Sequence, residues 1–412
     1  MAKTVRKDNK GRPLHKGEYY SREKKRYCYT YYPTPNHRVY VYANDLGDLR
    51  EKEKLIQRDI LDGLDRSKMM TTDLNNIFDR YMRTKTNLRN STKANYIFSY
   101  NRYVRSGFGK KRICDIKYSD VLLFYKSLID SGLKVSTVEN VHSTIHPSLQ
   151  MAVRDNLIRS NPSDGVVGEI KKSYKGQKDQ RHALTYEQQM LFLNYLDVSG
   201  RYKRWKPMLT FMFGTGVRIG EALAVKWSDI DFENNTIYIH HSLAYRPDCN
   251  NNFKNRFSCS EPKTKNSIRT IPMLDKVREA LLEEKRYQEE SRNHNIMKVD
   301  GVSGFLFVGK NGSFHTPAAV NEAIKILTCG ANYKEELLAK KEGRQPIVIP
   351  DFSAHVIRHT FCTRLCEAET NIKVIQTIMG HSDIQTTLDI YAEVSENKKQ
   401  EVFKDLNTKK II

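Results

Sequence analysis

The spacing of apolar positions changes along the chain, and each change predicts a different kind of element. Two short β-rich runs come first, Tyr27-Cys28-Tyr29-Thr30-Tyr31-Tyr32 and Arg38-Val39-Tyr40-Val41-Tyr42, with the turn Pro33-Thr34-Pro35-Asn36 between them. They predict paired strands, followed by a helix from about Leu46 to Leu64. The pattern breaks around Arg66 to Thr72 and then turns helical, with Leu74, Ile77, Phe78 and Tyr81 as the first stripe. Thr92 is expected to begin a helix through Tyr96, Ile97, Tyr100 and Val104. Ser119 is expected to cap one through Val121, Leu122 and Tyr125, and Ser136 to open a long one in which Pro147 is placed to kink. Together they read as a compact helical bundle ending near Asn161. The stretch from Gly165 to Arg181 is basic and without apolar period, so it reads as a linker. Beyond it, Thr185-Tyr186-Glu187-Gln188 spells a capping box, and mixed helix and strand signals run to about Tyr391, as in a larger α+β domain. No repeat at a fixed period is present.

Charge narrows the function. The 412 residues carry 69 Lys and Arg against 48 Asp and Glu, a formal charge of +21, which points to a polyanionic partner and first to nucleic acid. The first 44 residues hold eleven Lys or Arg and three acids, with eight tyrosines from Tyr19 to Tyr42. A small sheet with cations on one face can enter a DNA major groove; the competing reading is a solvated basic hairpin whose tyrosines pack on the following helix. No apolar run is long enough to cross a bilayer, and the amino terminus lacks the apolar core of a signal peptide, so the protein is expected in the cytoplasm with no membrane partner. The seven cysteines are scattered without a C-x-x-C pair, which predicts neither a disulfide framework nor a zinc knuckle.

The candidate chemistry is that of phosphate without a metal. There is no G-x-x-x-x-G-K-[ST] to cradle a nucleotide, and Gly214-Thr215-Gly216 alone means little. His355 and His359 are spaced i, i+4 but have no second ligand pair, and no carboxylate cluster suggests a two-metal nuclease. Instead, cations and imidazoles recur in helix-forming stretches. Arg218 follows a glycine-containing turn, with Glu221 three residues on to hold its guanidinium. Ser353 is expected to cap a helix whose His355, Arg358 and His359 share one face. Met379-Gly380-His381 ends the next helix, and Tyr391 lies ten residues beyond His381. Pro262-Lys263-Thr264-Lys265 through Arg269 to Pro272 reads as a β-hairpin with lysines at its tip. Guanidiniums can neutralise charge on non-bridging oxygens, imidazoles can relay protons, a lysine can protonate a leaving oxygen, and tyrosine can attack phosphorus.

These segments resemble, in order and spacing, the motifs of tyrosine recombinases: Gly216-Val217-Arg218-Ile219-Gly220-Glu221, Pro262-Lys263-Thr264, His355-Val356-Ile357-Arg358-His359, Met379-Gly380-His381-Ser382 and Thr386-Thr387 to Tyr391. The layout is similar to phage-type integrases, and most of all to those of conjugative transposons. The resemblance implies a multidomain protein. An arm-type DNA-binding domain at 1–68 would be a three-stranded sheet plus helix, an all-α core-binding bundle would span 70–165, and a linker would occupy 166–181. A mainly helical α+β catalytic domain would cover 182–393; in the tail at 394–412, the helical spacing of Val402, Phe403 and Leu406 itself predicts packing on a neighbouring subunit. The resemblance also implies roles: Arg218 and Arg358 as phosphate clamp, Lys263 as general acid with Lys265 competing, His355 as acid/base, His381 as phosphate ligand, Tyr391 as nucleophile, and Glu221 beside Arg218. His359 falls to a supporting position. The family's commonest spacing from the last histidine to the tyrosine is nine, which lands on Ile390, so the additional residue is expected to be absorbed in a loop. The implied reaction integrates and excises a mobile element through a 3′-phosphotyrosyl link and a Holliday junction, with no cofactor. Implied partners are double-stranded DNA with core and arm sites, three further copies in a tetramer, an excisionase and a host DNA-bending protein. A type IB topoisomerase would use similar residues, and a non-catalytic DNA-binding regulator is the remaining alternative.

Overall fold

The computed structural model describes residues 6–34, 37–64, 66–174, 182–248, 251, 253–262, 265–291, 297–309, 312–369, 371–392 and 394. It divides into two compact units, Met1–Lys178 with Asp248–Phe253, and Asp179–Pro247 with Lys254–Ile412.

In the first unit, β1 (Glu18–Ser21), β2 (Arg26–Thr34) and β3 (His37–Ala43) form an antiparallel sheet in that order, with Tyr29 opposite Val41 and Cys28 opposite Tyr42. Because side chains alternate along a strand, Tyr27, Tyr29 and Tyr31 face inward. They pack with Ala43 against Leu46, Leu49 and Ile56 of α1 (Leu46–Leu61). Tyr32, Tyr40 and Tyr42 stay exposed. Packing on the following helix thus accounts for the inner tyrosines and leaves the outer ones open to solvent. On the outer face, the guanidiniums of Arg26 and Arg38 lie over the rings of Tyr42 and Tyr40, 4.2 and 5.0 Å from their centroids. Positions 35–36 of the expected turn lie outside the described residues.

The bundle comprises α2 (Arg66–Thr71), α3 (Leu74–Thr84), α4 (Asn90–Tyr103), α5 (Tyr118–Asp130), α6 (Val135–Arg154) and α7 (Val166–Ser173). The expected stripe is its core: Leu74, Ile77 and Phe78 meet Tyr100, Tyr125, Ile145 and Leu149, and the Phe78 and Tyr100 rings stack. Helix starts differ from the expected caps. Thr92, Ser119 and Ser136 all lie inside a first turn, while Arg89, Lys117 and Lys134 occupy the extended cap positions. At α5 the Asp120 carboxylate accepts the Lys117 N–H, so an acid in the first turn satisfies the chain end in place of a serine. Helix α6 continues through Pro147. Residues 166–173, expected within the linker, are helical: Val166 and Ile170 of α7 are buried in the bundle core, an i, i+4 pair too short to register as a period.

The second unit contains α8 (Tyr186–Leu196), α9 (Lys206–Thr215), α10 (Ile219–Ala224), β4 (Ile230–Asp231), β5 (Thr236–Ile239), β6 (Ser242–Pro247), β7 (Asn255–Ser260), β8 (Arg269–Pro272), α11 (Asp275–Glu290), α12 (Pro317–Glu342), α13 (Ala354–Ala368) and α14 (Ile372–Met379), with residues 384–392 also helical. The capping box at Thr185 and Gln188 forms. The 262–272 hairpin does not. Strand β8 pairs with β5, in the sheet β4-β5-β8, whereas β7 pairs with β6 in a separate ribbon. Both strands flanking the lysines thus find their hydrogen-bond partners earlier in the chain. The core gathers Phe192, Leu209, Phe211 and Met212 with Ile237, Leu281, Phe305, Leu327 and Ile357. No helix among the described residues is long and apolar enough to cross a membrane.

Candidate active site

Helix α9 is apolar nearly all round and buried, with Pro207 in its first turn and Gly216 ending it in the left-handed region at φ 60°. A Cβ on Gly216 would stand 2.2 Å from the Phe361 ring, so only glycine fits there. The chain then extends through Arg218, which occupies the cap position of α10. The Arg218 Nη1 donates to Glu221 Oε1 at 2.8 Å, its backbone N–H to Glu221 Oε2 at 3.0 Å, and its Nη2 to the Gly380 carbonyl at 3.2 Å.

Helix α13 presents His355, Arg358, His359 and Cys362, spaced i, i+3, i+4 and i+7, to one cavity. Ser353 holds the cap position but makes no side-chain cap bond; the Ala354 N–H donates instead to Asn321 Oδ1 of α12 at 3.0 Å. Arg358 is 3% exposed, and its Nη1 and Nη2 donate to the carbonyls of Gly216 and Met379 at 2.7 and 2.5 Å. Its side chain also lines that cavity. Burial and the neighbouring Arg218 push its guanidinium down to about 9, which leaves it charged at neutral pH.

Gly380 closes α14 in the left-handed region and turns the chain so that His381 enters the site. Its Nδ1 lies 2.9 Å from the hydroxyl of the buried Thr387. Burial, then Arg358, Arg218 and Arg269, push this imidazole down to about 4, so at neutral pH it is uncharged and carries a single N–H, which is on Nε2 when the Thr387 hydroxyl donates to Nδ1. The Glu221 carboxyl is 3% exposed; burial alone would raise it, but Arg269 and Arg218 hold it below the ordinary carboxylate value.

The result is a cavity of about 190 Å³ lined by Arg218, His355, Arg358, His359 and His381, together with Ile390 and others. Of the residues singled out in the sequence, these five histidines and arginines converge, with Glu221 behind Arg218. Lys263 lies outside the described residues, and Lys265 begins a short 3-10 turn. Tyr391 is half-buried beside Phe361 and Leu365, against the cluster of Cys362, Cys366, Ile375 and Met379, while its neighbour Ile390 lines the cavity. Residues 384–392 form an unbroken helix. Gly380–Asp383 separate this helix from α14, so that short segment is the loop in which an additional residue can be taken up. The tail from 395 onward also lies outside the described residues.

Arg269 was not singled out by the sequence reading, although it is central here. Its signal was the register of β8: Arg269 and Ile271 are both buried while Thr270 and Pro272 are exposed, so an arginine takes an inward-facing strand position. Elsewhere, one group of side chains among the described residues is close enough together to hold a cation, His15, Glu18 and Glu53 of the amino-terminal module. Glu18 already accepts from Arg50 and from the His15 N–H, and Glu53 from Gln57.

Residues 182–398 match the model described as "Phage integrase family", and residues 2–60 the one described as "DNA binding domain of tn916 integrase". The chain is 28% identical over 420 residues to the transposase from transposon Tn1545 of Streptococcus agalactiae and to that from transposon Tn916 of Enterococcus faecalis, spanning 98% of this chain and 97% of each relative. Among solved structures it is similar to the Tn1549 transposon integrase in complex with transposon right end DNA and with a circular intermediate DNA. The identity is 25%, the TM-scores are 0.68 and 0.69, and 80% of this chain and 99% of those chains are covered.

Proposed function

Because the chain belongs to the phage integrase family, we propose that it is a site-specific tyrosine recombinase that integrates and excises a conjugative transposon. The observation that carries this reading is the cavity itself, where two guanidiniums and three imidazoles converge around a space open to an anion. The solved complexes of the Tn1549 integrase with transposon end and circular intermediate DNA support element ends as the substrate.

In the proposed reaction Arg218 and Arg358 hold the non-bridging oxygens of the scissile phosphate, and the uncharged His381, accepting from Thr387 at Nδ1, donates its Nε2–H. The Tyr391 hydroxyl attacks phosphorus and passes its proton to His355 as base. The bond to the 5′-oxygen breaks, and Lys263 protonates that oxygen, giving a 3′-phosphotyrosyl link and a 5′-hydroxyl. A second 5′-hydroxyl reverses the step on the partner strand. The phosphotyrosine conserves the bond energy, so the chemistry calls for neither a divalent metal nor ATP. Ile390 lines the cavity and Tyr391 is the next residue on the same helix, packed against Cys362 and Met379, which also line it, so the nucleophile enters from the 384–392 helix.

The exposed cation–tyrosine face of β2 and β3 would read arm-type sites, while the bundle and catalytic domain hold core sites. Four copies would act on two sites, with the carboxy-terminal tail packing between neighbours and an excisionase and DNA-bending protein setting direction. The test is a nicked suicide substrate built from element ends, incubated in EDTA and resolved on a denaturing gel. The protein should form a covalent adduct that Tyr391→Phe abolishes. An adduct retained by Tyr391→Phe would reassign the nucleophile, and dependence on a metal would exclude the mechanism.

A further inference from the structure

Three consecutive carbonyls at the end of α14 are each taken by a different arginine: Ile378 by Arg269 Nε at 2.7 Å, Met379 by Arg358 Nη2 at 2.5 Å, and Gly380 by Arg218 Nη2 at 3.2 Å. The last turn of a helix leaves such carbonyls unpaired and carries partial negative charge, so it is a natural seat for cations. Two of these arginines line the cavity. Arg269 does not; it lies behind the wall, its side chain 3% exposed.

Its other donors explain what it does there. Nη2 donates to Glu221 Oε2 at 2.9 Å, and Nη1 to the Ser267 carbonyl at 3.0 Å. Glu221 thereby sits between two guanidiniums, Oε1 facing Arg218 and Oε2 facing Arg269. A Cβ on Gly380 would approach Arg269 Nη1 to 2.9 Å, so the turn that delivers His381 rests directly on this side chain.

We propose that Arg269 is a positioning residue for strand transfer, acting through Glu221 to aim the Arg218 guanidinium and through the end of α14 to place His381, without touching DNA itself. The proposal rests on the recombinase reading for its reaction. A buried carboxylate that loses one of two cations becomes costly to keep ionised. The charged groups facing Glu221 are Arg218 on its own segment, Arg269 from β8 and Arg358 from α13, and His381 after α14 lies against the same three arginines. With Arg269 gone, burial is opposed chiefly by Arg218, so the Glu221 carboxyl rises and takes up its proton at a higher pH than in the intact network. Arg218 then loses its anchor.

The test is single-turnover adduct formation on nicked DNA at saturating protein, across the acid-to-neutral range, for the wild type, Arg269→Met, Arg269→Lys and the double variant Arg269→Met/Glu221→Gln. Arg269→Met should be slower by roughly ten- to a hundredfold, the usual cost of an orienting partner outside the first contact layer. Its deficit should deepen as pH falls, Arg269→Lys should recover part of the rate and the wild-type profile, and the double variant should lose the added acid dependence. A purely structural arginine would lower the rate by one factor at every pH, and that result overturns the proposal, as does an acid dependence that survives in the double variant. If Arg269→Met does not fold, Arg269→Lys at the full wild-type rate overturns it instead. A carbon-13 titration of the Glu221 carboxyl, compared between wild type and Arg269→Lys or Arg269→Met, reads the same coupling without DNA. An identical titration in variant and wild type sinks the inference even if no protein forms an adduct, whereas absence of adduct from the wild type alone counts against the recombinase reading.

Discussion

Gly216 shows how much of the site depends on a residue with no side chain. Its positive φ turns the chain from α9 into Arg218, the Phe361 ring occupies the place of a Cβ, and its carbonyl accepts from Arg358. Gly216→Ala should therefore cost about 1–3 kcal/mol from overpacking, with a further penalty for the left-handed backbone, and should slow adduct formation by disturbing Arg358. Urea unfolding and single-turnover cleavage check both; an unchanged midpoint would mean that Phe361 yields freely. Arg218, Glu221, His355, Arg358 and His381 were legible as candidates because their residue types are out of place in otherwise apolar helical segments. Arg269 was not, since a strand arginine is ordinary until its inward neighbours are known, and Thr387 stood in a quoted motif without its bond to His381 being legible.

At the scale of elements, the period of apolar residues located β2, β3, α1 and the bundle helices α3 to α6 but neither β1 nor α2, which falls where the pattern breaks, and boundaries moved wherever the hydrogen-bond partner came from elsewhere. Asn321 of α12 accepts the first N–H of α13 where Ser353 makes no side-chain cap bond, and the strands before and after the lysines pair with β6 and β5 rather than with each other. Helix α7 is the clearest case, its basic surface disguising a buried pair. Ile170→Ala should destabilise the bundle by about 2–4 kcal/mol, as deletion of a buried aliphatic side chain does, whereas the same change in a solvated linker would leave the unfolding midpoint of the full chain unmoved.

Over the whole molecule, the charge of +21 is an argument about partners rather than fold. If the outer face of β2 and β3 contacts phosphates, replacing both Arg26 and Arg38 by alanine should lower the slope of log affinity against log salt for arm-site DNA by about 2, roughly one for each contact. Affinity titrations at several salt concentrations measure it, and an unaltered slope would assign that face to something other than DNA backbone.

What the sequence determined alone is the alternation and period that make the elements, the excess of cations that names a polyanion, and the ordered set of Arg, His and Tyr motifs that names a chemistry. These are local or compositional, so no contact is needed to read them. The tertiary structure alone decided which side of β8 faces inward, how three arginines share the end of α14, and that Ile390 rather than Tyr391 lines the cavity. Each of those depends on groups brought together from more than a hundred residues apart or on the rotation of one helix against its neighbours, and buried charge is tolerated only where such partners meet it.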